Sequence, residues 1–536
     1  MKENIGKILK SILELTNKTA QDDLLDVVKE FIADYADEVE PFATELAKSI
    51  SHQFISMASN SNEADEDYDN KCLTAVGMLT TLETLLDILE DKENLIDAAE
   101  EVVTEVIAWI LQNRKGDYYE EALSLLSSIT TYRVSDPVWP ALELLKNILE
   151  AGDEGGVEYF VDMMPALHNF VTVESKQFFS SNDNLQIVFG MVKYTLDSVD
   201  SGEEAETHAL KLLEVLVFQG GKQTPGVIGN ALAIAYNRRY DDSQREIQTS
   251  ELRTMITTVI LACLYEDNTQ DTVNYLSERN WLNEGLKEWL SDFDSIFGIH
   301  DRRLTLLIMA KFFQSANKPS VISQSVNQIL PACIKLFKAL KNAYEFRANN
   351  DSDDEDDGNY DSDEDGEFGM GGENDGDHEH NNSQPNIDRG NIEQLNDDES
   401  DDEGKDYMKM LKNFELKDWA DEGETQYEDY TTVIDEDGIP FEGQTKDKEG
   451  VVEQHDIPDE YIEFNKAMEE CSNVDRGFFD ALMGAMSAED QKDFAEIQEE
   501  AKNRFNDRKS KALEKQGGYK FETDASRIDM NFTNQN

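Results

Sequence analysis

The chain has 536 residues and carries 114 acidic against 48 basic side chains, a formal net charge of −66 at pH 7. This charge disfavours direct binding to nucleic acids and anionic membranes and favours basic proteins, unless it serves solubility alone. There is no apolar run of about 18 residues and no secretion signal, so no membrane span is expected. The four cysteines are far apart, which argues against a disulfide framework and indicates a reducing, intracellular compartment.

Residues 1–347 show the periodicity of amphipathic helices, with apolar side chains at steps of three and four residues. Short polar or glycine-rich breaks separate these segments, as at 113–116 and 151–156. Helical hairpins over this length exceed one bundle, so the sequence predicts an all-α, HEAT-like solenoid, with a compact multi-bundle body as the alternative. Residues assigned to buried faces include Leu24, Val27, Val28, Phe31, Ile32, Leu73, Val76, Leu79, Leu82, Leu86, Leu89, Leu210, Leu213, Val217 and Phe218.

Two features near the end of this region bear on its geometry. The sequence His-Asp-Arg-Arg at 300–303 has no glycine-rich loop or other kinase signature to accompany it, so we interpret it as an inter-helix turn with local ion pairs. The last strong helix is predicted over 321–346. Pro331 inside it predicts a kink or a break at that position.

Residues 348–426 are predicted to form a disordered acidic tract. Between 350 and 404 there is one basic side chain, Arg389, and very little apolar area to offset an ordering entropy of about 1–2 kcal/mol per residue. Crowded carboxylates make this segment an extended polyanion. We expect its densest runs to attract basic cargo: Asp351, Asp353, Asp354, Glu355, Asp356 and Asp357; Asp361, Asp363, Glu364 and Asp365; and Asp397, Asp398, Glu399, Asp401, Asp402 and Glu403.

Three serines in the tract, Ser352, Ser362 and Ser400, each precede three consecutive acidic residues. This context suits kinases that recognise downstream acids, and phosphorylation would add about −1.5 to −2 charge at each site. The alternative is that serine is simply common in acidic sequence. The spacing from Asp353 to Glu364 also approximates an EF-hand loop, but no flanking helix pair supports one, so no specific metal site is expected.

Beyond the tract, the sequence predicts an extended docking segment over 427–457, C-terminal helices over 458–516 and a flexible tail over 517–536. Aromatic and β-branched residues interrupt the acid in the first of these segments, and helical periodicity returns in the second. The C-terminal helices end in a basic run, Arg504–Lys515. We expect this run to pair with the acidic tract when no cargo is bound, as an internal competitor.

The sequence contains no phosphate-binding loop, catalytic triad or zinc cluster, so neither an enzyme nor a cofactor is indicated. An ordered series of short motifs is more informative. It runs through Met163–Val173, Lys211–Val215, Ser250–Thr254, Gly298–Arg302, Gln328–Ala332, Tyr430–Asp435 and Lys515–Phe521, with the acidic tract in the corresponding place. In this series the chain resembles the importins of the karyopherin-β superfamily, in the branch of importin seven and importin eight.

The resemblance implies a HEAT-repeat superhelix that carries basic cargo, such as ribosomal proteins and histones, through nuclear pores. It also implies contact with phenylalanine-glycine nucleoporins, control by the GTPase Ran, and passage between cytoplasm and nucleus. Members of this family are about twice as long and the match covers their C-terminal half, so Ran binding is expected to be weak or absent here. The alternatives are an acidic chaperone for histones or ribosomal proteins and a HEAT scaffold without pore passage.

Overall fold

The computed structural model describes residues 5–350, apart from gaps at 20–22, 61–67, 90–92, 152–155, 222, 242–243, 267–269, 292, 294–295, 297–298 and 316–317, and residues 458–515. Every regular element within these ranges is helical, which confirms the all-α prediction. The first half contains α1 Ile5–Thr19, α2 Asp23–Asp34, α3 Ala36–Val39, α4 Ala43–Asn60, α5 Tyr68–Leu89, α6 Glu93–Gln112, α7 Tyr119–Thr130, α8 Ala141–Leu149, α9 Phe160–Thr172, α10 Ser175–Ser180 and α11 Asn182–Asp197.

The second half contains α12 Glu203–Gly220, α13 Val227–Tyr240, α14 Ser250–Glu266, α15 Gln270–Glu278, α16 Glu284–Ser291, α17 Ile299–Gln314, α18 Ser320–Gln324 and α19 Val326–Asn350. After the residues that the structure leaves undescribed come α20 Glu460–Val474, α21 Arg476–Gly484 and α22 Ala488–Lys515. Short 3₁₀ turns, Glu40–Phe42 and Gly116–Tyr118, precede α4 and α7.

One layer of helices runs through the described residues from α2 to α20, and we call it the B layer. In it α2, α5, α7, α9, α12, α14, α17 and α20 pack on one another in that order. Each member from α5 to α14 also packs on the helix just before it in the chain, which forms a hairpin with it. Stacked hairpins of this kind bury a continuous core and confirm the solenoid prediction.

The B-layer helices run parallel, because contacts join corresponding positions of successive members. Ser124 Oγ of α7 donates to Glu83 Oε1 of α5 over 2.6 Å, and the partners are 41 residues apart. Asn169 of α9 reaches the Ser127 carbonyl of α7, 42 residues away. Thr258 of α14 donates to Asp301 of α17, 43 residues away. This recurring separation is the repeat length of about 40 residues expected for HEAT units.

Helix faces differ from the predicted ones at two positions. In α2 the buried residues are Leu25, Val28 and Ile32, whereas Val27 is 39% exposed. In α5, Leu79, Leu82, Leu86 and Leu89 are buried as predicted, but Leu73 is 55% exposed. Both errors widened an apolar stripe by one position, which the periodicity alone does not resolve. The α12 prediction held for Leu210, Leu213 and Val217, which are fully buried.

Helix α5 is also the one described helix with the length and apolar character of a membrane span. Half of its most apolar window is buried inside the protein, where it packs on α2, α4 and α7. The apolar composition of α5 is therefore explained by its place as a core helix of the B layer.

The interpretation of 300–303 as an inter-helix turn is wrong. These residues form the first turn of α17, and Arg302 and Arg303 are 1% and 4% exposed. His300 Nε2 lies 2.7 Å from Glu214 Oε1 of α12, two repeats back. The polar contacts of His300 and Arg303 are therefore long-range rather than local: they join α17 to α12, two members back, and to Glu460 of α20, the next member.

The expected break in the last helix falls elsewhere. Helix α19 continues through Pro331, and the interruption lies at Ser325, between α18 and α19. Proline lacks an N–H donor and costs most in a helix interior, but Pro331 lies in the second turn of α19, five residues after its start at Val326. There the helix tolerates it without ending.

A buried ion cluster ties one hairpin connection to the layer, and we call it the Glu206 cluster. Glu206, in the first turn of α12, is fully buried and binds both Arg238 of α13 and Arg245 of the α13–α14 connection. Arg238 Nε lies 2.6 Å from Glu206 Oε2, and Arg245 Nη1 donates to the Ser201 carbonyl over 2.8 Å. Two guanidinium groups thus neutralise one buried carboxylate and fix the connection across the preceding repeat.

Candidate functional site

All the residues that sequence analysis proposed for cargo attraction and phosphorylation lie between 351 and 457, outside the described residues. The structure does fix the two points where that segment joins the fold. It leaves at Asn350, the last residue of α19, and re-enters at Pro458, just before α20. Helix α20 packs on α17 as the next member of the B layer. The acidic tract is therefore an insertion within the last helical hairpin, and both of its ends belong to one repeat.

A buried ion cluster holds the re-entry point, and we call it the Glu460 cluster. Glu460, in the first turn of α20, is 1% exposed. Arg303 Nε of α17 donates to its Oε2 over 3.0 Å, Tyr344 Oη of α19 to its Oε1 over 3.1 Å, and Arg504 Nη1 of α22 lies 3.3 Å from Oε1. Three helices thus converge on one carboxylate. Burial raises the pKa of Tyr344, and the Glu460 charge raises it further.

Aromatic packing continues beneath this cluster. The ring of Phe464 in α20 lies 5.5 Å from that of Phe313 in α17 and 5.1 Å from that of Phe337 in α19. The ring of Tyr461 lies 4.7 Å from that of Phe337. Edge-on aromatic pairs add about 0.5–1.5 kcal/mol each to the stability from buried area. The C-terminal helices are therefore an integral end of the solenoid.

Two members of the basic run are committed to this arrangement. Arg504 Nη1 also lies 3.4 Å from Asp459 Oδ2, and Arg508 Nη2 lies 3.6 Å from the same oxygen. Asp459 in turn caps α20 by accepting from the Ile462 amide over 2.9 Å. Burial alone would lower the pKa of Arg504, but the Glu460 and Asp459 carboxylates raise it overall. Arg504 and Arg508 thus hold the folded insertion point, which the sequence did not reveal.

Exposed acidic residues occupy the first turns of successive B-layer helices, and we call this set the acidic edge. Because the layer is parallel, these first turns lie along one side of the solenoid, the side where the tract leaves and re-enters. Arg114 and Lys115 lie in the turn before α7, so the edge is predominantly rather than purely acidic. The acidic edge comprises Asp69 of α5, Glu120 of α7, Asp162 of α9, Glu204 of α12 and Glu251 of α14.

The carboxylates of the edge influence one another. Partial desolvation raises the pKa of Asp162, and the charges of Glu120 and Glu204 on the neighbouring helices raise it further. The same two effects raise the pKa of Glu121, where the added charges are Glu120 and Glu83. Helix N-termini favour acidic residues through the helix dipole, which explains why each acid is there. Their alignment nevertheless brings Glu120, Asp162 and Glu204 close enough to form an electronegative row.

The sequence contained a signal for this edge that the analysis missed. Glu120, Asp162 and Glu204 follow one another at equal intervals of 42 residues. An acid that recurs at the repeat length, at the start of successive B-layer helices, marks one edge of a parallel layer. No group of His, Cys, Asp or Glu side chains in the described part of the chain has the arrangement of a metal site.

Comparison with known proteins gives several relatives, although no family model matches the chain. The chain is 31% identical to importin-8 of Homo sapiens over 350 residues, which are 64% of this chain and 33% of that protein. It is 21% identical over 336 residues to a probable importin-7 homolog of Dictyostelium discoideum, covering 62% of this chain and 31% of that protein.

A longer match extends across the acidic tract. The chain is 21% identical over 522 residues to the Nonsense-mediated mRNA decay protein 5 of Saccharomyces cerevisiae, which covers 93% of this chain and 46% of that protein. The chain spans about a third of the length of the importin-8 relatives that it matches. The motif series, the stacked helical hairpins and these relatives agree. They support a member of the importin-β family, in the branch of importin-7 and importin-8.

Proposed function

We propose that this chain is the cargo-binding part of a nuclear import receptor for basic proteins, such as ribosomal proteins and histones. One observation carries the proposal beyond family membership: the acidic edge of the B layer leads to the hairpin into which the acidic tract is inserted. The tract supplies long-range attraction and the edge a fixed electronegative surface. Together they screen a basic cargo from nucleic acids during transport.

Two contributions follow from this division. The three runs from Asp351 to Glu403 attract cargo diffusely and speed its encounter, and their effect weakens as salt rises. The acidic edge contacts cargo at fixed positions spaced by one repeat, so it selects for basic patches of matching spacing. Phosphorylation of Ser352, Ser362 or Ser400 strengthens the diffuse contribution by adding charge.

Cargo affinity across a salt series tests this function. A linker histone and a basic ribosomal protein are titrated into the intact chain, a deletion of 351–404, and the edge variant E120Q/D162N/E204Q. The matched control is E101Q/E143Q/D183N, which removes three exposed acids from α6, α8 and α11 outside the edge. We expect the deletion to lower affinity most and to flatten the salt dependence. The edge variant should weaken binding about three- to tenfold at low salt, and the control should not.

Equal affinities for all four proteins would contradict the proposal. Binding to immobilised phenylalanine-glycine nucleoporin repeats then separates a transport receptor from an acidic chaperone or a passive scaffold, because only the first needs it. Adding Ran loaded with GTP tests control of release. Because Ran binding is expected to be weak or absent in this chain, we expect little release, and clear release would show that the chain itself responds to Ran.

A further inference from the structure

The last turns of α22 extend beyond the hydrophobic core. Ala501, at 3% exposure, is the last buried residue among the side chains that the structure describes in this helix. From Lys502 to Ser510 every side chain is exposed except that of Arg504, which is half-buried. Phe505 is 55% exposed and is the one large apolar side chain between Lys502 and Ser510. This helix end is therefore an accessible surface with one apolar anchor.

The same surface is basic, in a chain with a net charge of −66. Arg504 and Arg508 face Asp459, as described above. Lys509 lies one helical turn after Phe505 and shares its face, and Lys511 and Lys515 follow on the same helix. An exposed aromatic ring beside lysines suits an acidic segment, whose carboxylates pair with the ammonium groups.

The position of this surface identifies the segment. The Arg504 guanidinium lies 5.5 Å from the ring centre of Tyr344, six residues before α19 ends at Asn350. It also contacts Glu460, two residues after the chain re-enters at Pro458. Gln498 pairs with Asn465 while Arg504 pairs with Glu460, so α22 runs antiparallel to α20 and its last turns pass the start of α20. The basic helix end thus lies beside both ends of the insertion.

We propose that the last turns of α22, which carry Phe505 and Lys509 on one face and whose sequence continues with Lys511 and Lys515, bind the acidic run Asp351–Asp357 of this chain when no basic cargo is present. That run begins at the residue after α19, so bringing it to α22 closes a shorter loop than the runs at 361–365 or 397–403 would. Seven extended residues reach about 23 Å, which is long enough to span the roughly 16 Å of helix from 504 to 515.

This contact makes the basic helix end a competitor of cargo for the first acidic run. The competitive role rests on the proposed function, whereas the contact itself does not. Tethering both partners at one point gives an effective concentration in the millimolar range, so individually weak ion pairs suffice. The contact is released by salt or by a cargo with more positive charges than α22.

Carbodiimide coupling of the intact chain without cargo tests the contact directly, because this reagent joins an amine to a carboxylate only when the two touch. Lys466 of α20 and Lys492 of α22 serve as internal controls, because their side chains are 57% and 78% exposed. Peptide mass spectrometry should find Lys509, Lys511 and Lys515 joined to 351–357 about tenfold more often than the controls, and the excess should vanish at 0.5 M salt, where the Debye length is about 4 Å.

Three results would overturn the proposal: equal coupling of test and control lysines, coupling confined to 397–403, or coupling between differently isotope-labelled chains. The competitive role is measured separately with K509Q/K511Q/K515Q against the control K193Q/K466Q/K492Q. We expect the first variant to bind linker histone about three- to tenfold more tightly at low salt. If no variant binds histone while the coupling persists, the proposed function fails and the contact stands.

Discussion

Two buried glutamates close connections of very different length in this protein. Glu206 and Glu460 each lie in the first turn of a B-layer helix, are 0% and 1% exposed, and bind two arginines. The Glu206 cluster fixes the short connection between α13 and α14. The Glu460 cluster closes the hairpin that contains the whole acidic insertion. The same device serves both, so hairpin closure in this solenoid does not depend on the length of the connection.

The two clusters differ in what surrounds the carboxylate. Around Glu206 the second arginine, Arg245, comes from the connection itself and binds carbonyls of the preceding turn. Around Glu460 every partner comes from a helix, and Tyr344 adds a third donor. Because the partners of Glu460 all lie on helices, this cluster needs no contact from the connection between α19 and α20. This is the arrangement that a long functional insertion requires.

The largest expected effect comes from Glu460→Ala, which leaves the buried Arg303 guanidinium without its carboxylate. Removing one partner of a buried ion pair costs about 3–5 kcal/mol. Because repeat proteins unfold in part, the loss should be local, so hydrogen exchange across 458–515 should accelerate while α5–α9 stay protected. The control is Glu463→Ala, in the same first turn but with a side chain 35% exposed. Equal effects of the two changes would contradict the comparison.

A somewhat smaller effect is expected for Glu206→Ala. It leaves Arg238 buried with a side chain only 2% exposed, but Arg245 is 34% exposed and can turn to water. We expect a loss of about 2–4 kcal/mol, measured by hydrogen exchange and confined to α11–α14. Glu204→Gln, an exposed change in the same turn, is the control and should cost less than about 1 kcal/mol. Accelerated exchange in α20–α22 would show that the clusters are coupled.

The loss of stability at acid pH includes a contribution from His168, a buried side chain of the B layer, besides that of the carboxylates in the two clusters. Burial lowers its pKa from 6.5 to about 4. As the pH falls, His168 therefore binds a proton near pH 6.5 in the unfolded chain but only near pH 4 in the folded protein. Its contribution to stability is complete above pH 6.5 and decreases as the pH falls towards 4, by about 3 kcal/mol in total.

Denaturant unfolding at pH 7 and pH 4.5 checks this for the natural chain and His168→Gln. The variant should lose less stability between the two pH values. The same loss in both proteins would assign the acid sensitivity to other groups. With His168 replaced, the remaining acid response reports more directly on the carboxylates of the two clusters.

The smallest effect is expected when residues 351–404 are removed. If the Glu460 cluster alone closes the hairpin, shortening the connection by half should stabilise the docking of α20–α22 by only about 0.6 kcal/mol, through a smaller loop-closure entropy. Hydrogen exchange of α20 against that of α7 measures the difference. A clear loss of protection would mean that the tract contributes contacts to the folded body.

The fold was predictable from sequence because hydrophobic periodicity reports directly on helices, and repeated hairpins leave few packing solutions. Exposed Val27 and Leu73 show the limit of that signal, since an apolar stripe can be one residue narrower than its pattern suggests. Positions 300–303 show another limit. Charged residues are rarely buried, so they were assigned to a turn, but their partners Glu214 and Glu460 lie 86 and 157 residues away.

The candidate site also has parts that the sequence predicts and parts that only the structure shows. The acidic runs are visible in the composition, and their role as cargo attractors stays a prediction. The acidic edge was predictable in principle from Glu120, Asp162 and Glu204, yet it needed the knowledge that alternate helices are parallel. The assignment of Arg504 and Arg508 to Asp459 was not predictable, because nothing local separates them from the lysines that follow.

Because α20 docks on α17 and α19 through buried contacts, we expect the folded protein to stay assembled when the backbone between α19 and α20 is cut. A protease that cleaves between 351 and 457 would produce two bands on a denaturing gel but one particle by size-exclusion chromatography. The pieces before and after the cut, expressed separately and mixed, should bind each other and reassemble the fold. The hairpin of α19 and α20 would then become a noncovalent joint, at which the acidic insertion can be exchanged, shortened or labelled without rebuilding the solenoid.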